Sequence, residues 1–96
     1  MLDWYLYPKD VAKTIAKNEK VKRKARKLTQ RELAGRSGVT LASLKRFEQT
    51  GEISLVSLLK IAEVLEEKSA FIELFTTKEY SSIQEVIDER KCRQSK

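Results

Sequence analysis

Histidine is absent from this sequence of 96 residues, and cysteine occurs once, at Cys92. Without histidine, most zinc sites, Ser-His or Cys-His catalysis and an imidazole general base are excluded. A single cysteine cannot form a disulfide within the chain, and in its polar surroundings it is most simply a reduced thiol. Carboxylate- or lysine-based catalysis stays open, but a small helical chain offers little room for a deep pocket. We therefore expect no enzymatic activity, no cofactor and no metal site.

Long apolar runs are also missing. Hydrophobic residues make up 41% of the chain, which suffices for a core. However, no stretch approaches the ~18 consecutive apolar residues that a transmembrane helix needs. The first residues include an acid, Asp3, where a signal peptide carries basic charge, and their apolar run is too short for a signal peptide. The sequence therefore predicts a cytoplasmic protein with no membrane partner.

Positive charge is concentrated in the first half of the chain. The net charge is +6, but residues 9–46 contain 13 basic and 3 acidic residues, whereas residues 47–96 contain 7 basic and 10 acidic residues. This asymmetry indicates a polyanionic partner for the first half. The alternative at this point is a solvated basic helix without a partner.

The first two predicted helices follow from apolar spacing and from capping residues. Pro8, the only proline, suits a first helical turn, and the spacing predicts a helix over about 9–26. Thr29 and Glu32 form a capping-box pattern that starts a second helix, and Gly38 follows its end. From Lys9 onward the apolar residues that give this spacing are Val11, Ala12, Ile15, Ala16, Val21, Ala25 and Leu28.

Three further helices are predicted beyond the glycine. Thr40 is an N-cap for a helix from Leu41 to about Gln49, and Ser54 is an N-cap for a fourth helix. A short fifth helix is expected over 70–75. The predicted core consists of Leu33, Ala34, Val39, Leu44, Phe47, Leu55, Leu58, Leu59, Ala62 and Leu65.

The chain divides into three predicted parts. Residues 1–8 form an aromatic N-terminal arm, in which Trp4 to Tyr7 is a candidate strand that two copies could pair. Residues 9–75 form the helical domain. Residues 76–96 contain a linker, a short helix over about 82–90 and a basic tail.

The segment from Leu28 to Gly51 is the most informative motif. It contains two short helices joined by a glycine turn, with the small residue Ala34 where the helices cross. Such a unit projects its second helix so that it can enter the DNA major groove. The first helix lies across the DNA backbone, and the N–H groups at its N-terminus face a phosphate.

This segment resembles the lambda-repressor-like, or Xre-type, helix-turn-helix proteins over about residues 21–65. The motifs that carry the resemblance are Leu28-Thr29-Gln30, Glu32-Leu33-Ala34, Ser37-Gly38-Val39 and Glu48, followed by Leu58-Leu59-Lys60-Ile61-Ala62. The resemblance implies an all-α fold, a five-helix lambda-repressor-like domain with a short C-terminal helical extension. It also implies a dimer that binds a double-stranded DNA operator and is therefore associated with the nucleoid.

The resemblance implies roles for individual residues. Residues expected to face base edges are Leu41, Ala42, Lys45 and Arg46. Residues expected to contact phosphate are Thr29, Gln30, Thr40 and Ser43, joined by the nearby bases Lys24, Lys27 and Arg31. Arg46 can donate two hydrogen bonds to guanine, whereas Leu41 and Ala42 can contact only thymine methyl groups. Direct readout is therefore expected to be limited, with a contribution from DNA shape.

Two further sets of residues receive structural roles. Arg23 and Glu48 occupy the positions of a partly buried ion pair found in many relatives, and we favour a structural role over DNA contact for both. The last predicted helix has more apolar surface than one core needs, which indicates core closure by one face and a homodimer contact by the other. The residues expected at that contact are Phe71, Ile72, Leu74 and Phe75.

A narrower resemblance concerns the antitoxin or regulator subgroup found beside HipA-like serine/threonine kinase toxins. It is carried by Phe47 to Leu55, by Leu58 to Ala62 and by Phe71 to Phe75. It implies a repressor of its own operon with a possible HipA-like kinase partner. A stand-alone transcription regulator is the nearest alternative. A protein-binding adaptor that no longer reads DNA is an alternative from another class.

Overall fold

The computed structural model describes residues 7–77, which form five α-helices and no strand. The helices are α1 (Pro8–Ala25), α2 (Gln30–Ser37), α3 (Leu41–Thr50), α4 (Leu55–Val64) and α5 (Lys68–Ile72). The predicted all-α, five-helix architecture is confirmed. The candidate strand, apart from Tyr7, and the C-terminal segment with its predicted helix lie outside the described residues. No helix within residues 7–77 is both long enough and apolar enough to span a bilayer.

The N-terminal caps follow the sequence closely. The Glu32 backbone N–H donates to Thr29 Oγ1 at 3.0 Å, and the Thr29 N–H donates to Glu32 Oε1 at 2.8 Å, so the predicted capping box is present. Thr40 and Ser54 cap α3 and α4 in the same way through their hydroxyl oxygens. These caps satisfy backbone donors that the first helical turn leaves without partners.

Gly51 closes α3 for two separate reasons. Its φ of 84° lies in the left-handed region, which glycine adopts without steric cost. In addition, a Cβ at this position would lie 2.9 Å from the carbonyl carbon of Ala12, so the end of α3 packs directly on the backbone of α1. This close approach helps to fix the crossing of α1 and α3.

Helices α1 and α4 end in a left-handed residue that is not glycine. After α1, Lys27 has a φ of 59°, and after α4, Glu66 has a φ of 60°. In both places the next residue donates back to a carbonyl five positions earlier, Leu28 to Arg23 at 3.2 Å and Glu67 to Ala62 at 2.8 Å. These are Schellman closures in which a charged residue takes the position that glycine usually fills.

The last helix differs from its prediction. It begins at Lys68 rather than at residue 70, because the closure around Glu66 reverses the chain immediately after α4. It ends at Ile72, and Phe75, with a φ of 66°, lies beyond it. Leu74 and Phe75 are therefore exposed residues of the following turn rather than part of the helix.

The core lies where α2 and α3 pack together against α1 and α4, and α5 packs on α4. Its buried hydrophobic residues are Ala16, Leu28, Leu33, Ala34, Val39, Leu44, Phe47, Ile61, Ala62 and Leu65. Leu58 and Leu59 are half-buried. The core prediction was wrong for Leu55, which is 62% exposed, because the inward stripe of α4 passes through Leu58 and Ile61 instead of its first turn.

The inward face of α1 also differs from the apolar pattern. Val21 is 62% exposed, whereas Glu19 and Arg23 are buried together with Ala16. These three positions fall at i, i+3 and i+7, on one helical face. Helix α1 therefore buries two ionisable side chains, Glu19 and Arg23, in the domain interior. Both belong to the site described next.

Candidate nucleic-acid interface

The outward face of α3 is exposed and mainly polar, and its inward face is buried and apolar. We call the exposed face the α3 ridge. Ala42, Lys45 and Arg46 are exposed, and Leu44 and Phe47 are fully buried on the opposite side of the helix. The buried pair anchors α3 in the core, so the exposed side chains stand on a fixed support. Three of the four residues expected to face base edges therefore share one exposed face.

Leu41 departs from its expected outward position. It is half-buried and packs against the hydrophobic core. Gln49, which the sequence analysis did not single out, is exposed and follows Ala42 by seven residues, so it lies on the same face. Its amide has the donor and acceptor pair that suits adenine. The i+7 spacing was the signal in the sequence that would have found it.

Arg46 is held by an ion pair at the edge of this face. Its Nη2 donates to Glu52 Oε1, and both side chains are largely exposed. The Glu52 N–H donates to Thr50 Oγ1 at 3.1 Å, and Thr50 Oγ1 donates to the Arg46 carbonyl at 2.7 Å. Arg46 and Glu52 also line an open concavity of about 250 Å³ together with Ser43, Ile53, Ser54 and Ser57. The loop after α3 therefore presents the guanidinium beside a polar hollow.

The expected phosphate-binding hydroxyls lie at the N-termini of α2 and α3. Thr29 and Thr40 are exposed, and each accepts a hydrogen bond from its own helix. The Thr40 hydroxyl also donates to Ser43 Oγ at 2.9 Å. These hydroxyls already cap their own helices. The backbone N–H groups of each first turn that remain without an acceptor can bind an anion such as phosphate.

Arg23 and Glu48 form a buried ion pair that is joined by two hydrogen bonds. Arg23 Nε lies 2.8 Å from Glu48 Oε2, and Nη2 lies 3.0 Å from Oε1. The third guanidinium nitrogen, Nη1, donates to the Leu28 carbonyl at 2.8 Å. The side chains are only 7% and 3% exposed. The pair thus fixes α3 to α1 and to the turn that precedes α2.

Gln30 extends this pair to α2. Its Nε2 donates to Glu48 Oε1 at 2.9 Å, and its side chain is half-buried. The side chain expected to contact phosphate is thus partly engaged inside the protein, with one amide hydrogen left over. Burial opposes ionisation of Glu48, but hydrogen bonds from Arg23 and Gln30 and the Arg23 charge together lower its pKa. The hydrogen bond with Glu48 in turn raises the pKa of Arg23.

Glu19 is a second buried carboxyl beside this network. Within residues 7–77, neither of its side-chain oxygens has a donor. Burial raises its pKa to about 8, the nearby Glu48 charge adds to this, and Arg23 opposes it. A carboxylate would have no donor here, but a protonated Glu19 can donate to Glu48. We conclude that Glu19 is mainly protonated at neutral pH. The sequence pattern gave no sign that Glu19 is buried.

The cations of the first half separate into two groups. Lys24, Lys27, Arg31 and Lys45 are exposed and form no ion pair with any described residue. In contrast, Lys22 pairs with Glu67 at 2.5 Å, and Arg26 pairs with Glu66 at 3.0 Å. The free cations therefore include those expected to contact phosphate, while acids of the α4–α5 turn neutralise two other bases of α1.

The residues expected at a dimer contact do not share one environment. Phe71 and Ile72 are half-buried, whereas Leu74 and Phe75 are exposed. Phe71 lines a groove between α1, α4 and α5. Leu74 and Phe75 are thus the members of this set that are most available to another chain.

A Helix-turn-helix family model matches residues 20–72, from the middle of α1 to the end of α5. The matched region includes the whole α3 ridge, the buried Arg23–Glu48 pair and both capped N-termini. No curated protein and no solved structure matches the chain. The match gives no support to the narrower antitoxin subgroup.

Proposed function

Because the chain belongs to the helix-turn-helix family of DNA-binding transcription regulators, we propose that it is a sequence-specific repressor that binds an operator as a dimer and represses its own operon. The observation that carries this proposal is the exposed ridge of α3. The ridge stands on a buried base, a bidentate ion pair fixes it to α1, and the Gln30 hydrogen bond to Glu48 fixes it to α2. That is the rigid support that a recognition helix needs in the major groove.

On this proposal, α3 reads bases mainly through Arg46 and Lys45. Arg46 exchanges its contact with Glu52 for guanine O6 and N7, to which a guanidinium can donate two hydrogen bonds. Ala42 and the exposed part of Leu41 contact thymine methyl groups, and Gln49 is a candidate for adenine. Since direct readout is narrow, sequence-dependent DNA shape supplies the remaining specificity.

Phosphate contacts set the register of the domain on DNA. The N-terminus of α2, with Thr29 and the second amide hydrogen of Gln30, faces one phosphate, and the N-terminus of α3 with Thr40 and Ser43 faces another. The unpaired cations Lys24, Lys27 and Arg31 surround the first of these sites. Each cation–phosphate contact releases counterions, so affinity should fall steeply with salt.

Dimerisation uses Leu74 and Phe75, whose exposed apolar surface suits an isologous contact. Two half-sites read by a symmetric dimer multiply a modest affinity. A role as the antitoxin of a HipA-like kinase rests on the resemblance in the sequence alone. A kinase-like reading frame beside the gene would support it over a stand-alone regulator.

The test is a fluorescence-anisotropy titration of the protein with DNA from its own promoter and with scrambled DNA, at two salt concentrations. We expect the promoter to bind about a thousandfold or more tightly than scrambled DNA, which is the scale of specific recognition. Equal, steeply salt-dependent binding to both would leave only a basic surface. The adaptor alternative would then replace the repressor.

A further inference from the structure

Glu19 and Glu48 are two carboxyl groups that lie beside one guanidinium in the domain interior. Arg23 donates two hydrogen bonds to Glu48 and a third to the Leu28 carbonyl. Gln30 donates a further hydrogen bond to Glu48. Both side-chain oxygens of Glu19 are buried, and neither has a hydrogen-bond partner among the described residues. The network therefore satisfies one carboxylate and leaves the other carboxyl group without a donor.

We propose that the proton on Glu19 regulates operator binding: the protonated carboxyl keeps the α3 ridge in its DNA-binding position, and loss of the proton releases the ridge. Such regulation rests on the proposed function, since it acts on the affinity of the α3 ridge for DNA. A protonated Glu19 can donate to Glu48, so both carboxyl groups are satisfied and Arg23 stays with Glu48. An ionised Glu19 cannot donate, and it repels Glu48 and competes with it for Arg23.

Glu48 is the residue through which this competition reaches the DNA-binding surface. It lies on α3, and its carboxylate binds Arg23 of α1 and Gln30 of α2, so it joins three helices. Binding surfaces depend on supporting hydrogen bonds that hold the contacting side chains within about 0.5 Å of their productive positions. When an ionised Glu19 draws Arg23 away, α3 loses its fixed position relative to α1, and the carboxylate that orients Gln30 shifts with it. The α3 ridge and the proposed phosphate donor then no longer fit the same stretch of DNA.

The other elements around Glu19 supply it with no unpaired cation among the described residues. Glu19 lines the groove of about 400 Å³ between α1, α4 and α5, and the residues of α4 and α5 in this lining are apolar. The other charged residues of the lining are Lys22 and Glu67, which pair with each other at 2.5 Å. Its remaining polar residue, Asn18, is neutral. Arg23 is therefore the cation available to an ionised Glu19.

The composition of the chain makes this proton easy to observe. Burial raises the pKa of Glu19 to about 8, so Glu19 loses its proton between about pH 7 and 9. The chain has no histidine, so the other groups whose ordinary pKa lies in this range are the thiol of Cys92 and an α-amino group. A change in operator affinity within this range can therefore be assigned with few substitutions.

Operator affinity should be constant up to about pH 7 and fall as Glu19 ionises, because the protonated form is the one that binds. One pH unit above the pKa, roughly one tenth of the molecules retain the proton. We therefore expect promoter DNA to bind about tenfold more weakly at pH 9 than at pH 6.5, measured by fluorescence anisotropy. The salt concentration stays the same at both pH values, because affinity for DNA depends on it.

Glu19→Gln is the variant that isolates this group, because its amide can donate to Glu48 without a titrating proton. It should lose most of the decline. Glu67→Gln is the matched control, since Glu67 is the other carboxyl group of the groove lining and its pairing with Lys22 lowers its pKa. Cys92→Ser is the control for the thiol. Both controls should retain the decline, and far-UV circular dichroism at each pH checks that every variant is folded.

A second measurement needs no substitution. If ionisation of Glu19 weakens DNA binding, DNA binding must raise the pKa of Glu19 by the same factor, because coupling between two bound species is reciprocal. Carbon-13 NMR of the Glu19 carboxyl carbon follows this titration in the free protein and in the complex with promoter DNA. We expect the midpoint to lie about one pH unit higher in the complex.

Three outcomes would overturn the inference. The first is a promoter affinity that is equal at the two pH values. The second is a decline that Glu19→Gln retains, which would assign the decline to another group. The third is a carboxyl titration of Glu19 that DNA leaves unchanged. Promoter and scrambled DNA that bind equally at the lower pH would instead contradict the proposed function on which the inference rests.

Discussion

Two Arg–Glu pairs in this small domain have the same chemistry and opposite surroundings. Arg23 and Glu48 are 7% and 3% exposed, whereas Arg46 and Glu52 are 66% and 58% exposed. The first pair joins residues 25 positions apart on two helices, and the second joins residues only 6 positions apart at the end of α3. Burial separates the two pairs: the buried pair holds α1 and α3 together, whereas the exposed pair leaves the Arg46 guanidinium accessible to solvent.

The largest expected difference is in stability. Glu48→Ala leaves the Arg23 charge buried without its partner, so we expect it to reduce the free energy of unfolding by about 3–5 kcal/mol. Glu52→Ala removes an exposed partner and should reduce the free energy of unfolding by less than about 1 kcal/mol. Chemical denaturation of the two variants measures both. Similar losses in the two variants would show that burial does not separate the roles of the pairs.

Glu19 makes the buried region sensitive to pH. Its pKa is about 8 in the folded protein, against an ordinary value near 4.5, so the unfolded chain releases the proton first as pH rises. Stability should therefore be greatest near pH 5, fall on the order of a few kcal/mol as pH approaches 8, and level off above it. Glu48, with its lowered pKa, acts in the opposite direction but only at acidic pH.

Glu19→Gln tests this pH dependence. The Gln amide can donate to Glu48 without a titrating proton, and it has nearly the same shape. We expect the variant to be more stable than the parent at pH 8.5 and to lose most of the decline between pH 5 and 8.5. Urea denaturation across this range measures it. A parent protein whose stability is flat over the range would show that Glu19 is ionised in the fold.

The exposed pair of Arg46 and Glu52 should affect DNA binding rather than stability. Arg46→Ala should weaken operator binding by about 1–3 kcal/mol and relax the sequence preference at one position. Arg26→Ala is the matched control, because Arg26 also belongs to an exposed Arg–Glu pair, with Glu66 in the turn after α4, and is not an expected DNA contact. Anisotropy titrations compare the two. An Arg46→Ala variant that binds the operator as tightly as the parent would move the recognition surface elsewhere.

The smallest expected effect is a gain in affinity. Glu52→Gln removes the carboxylate that holds Arg46 and also a negative charge near the proposed DNA surface. Since exposed ion pairs contribute less than about 1 kcal/mol, we expect a gain in DNA affinity of at most that size and almost unchanged stability. Glu66→Gln, which releases Arg26, should not change affinity. Equal effects of the two substitutions would indicate general electrostatics rather than release of Arg46.

Local signals in the sequence predicted the starts of α1 to α4 well. The capping box of Thr29 and Glu32 involves residues three apart, so sequence spacing alone fixes its geometry. The helix ends at Lys27 and Glu66 were not predicted. Both residues adopt a left-handed backbone conformation that a sequence usually indicates by a glycine. The end of α1 was consequently placed one residue late, and the start of α5 two residues late.

The site was less predictable than the fold. The Arg23–Glu48 contact joins distant positions, and only the family resemblance indicated it. The buried state of Glu19 depends on how α1 rotates against α3, which apolar periodicity misjudged when it turned Val21 inward. The Arg46–Glu52 contact depends on the path of the loop after α3. Each of these is a tertiary property, so single-sequence patterns do not determine it.

We propose that the α3 ridge, which the buried Arg23–Glu48 pair holds in place, is the surface that binds DNA. The most direct test is a titration of ¹⁵N-labelled protein with promoter DNA, followed by backbone amide shifts in NMR spectra. We expect the shifts to concentrate at the N-terminus of α2 and along α3, including Arg31, Ala42, Lys45 and Arg46, and to spare the groove around Ala70. Shifts centred on α5 and the groove, with α3 unchanged, would contradict it.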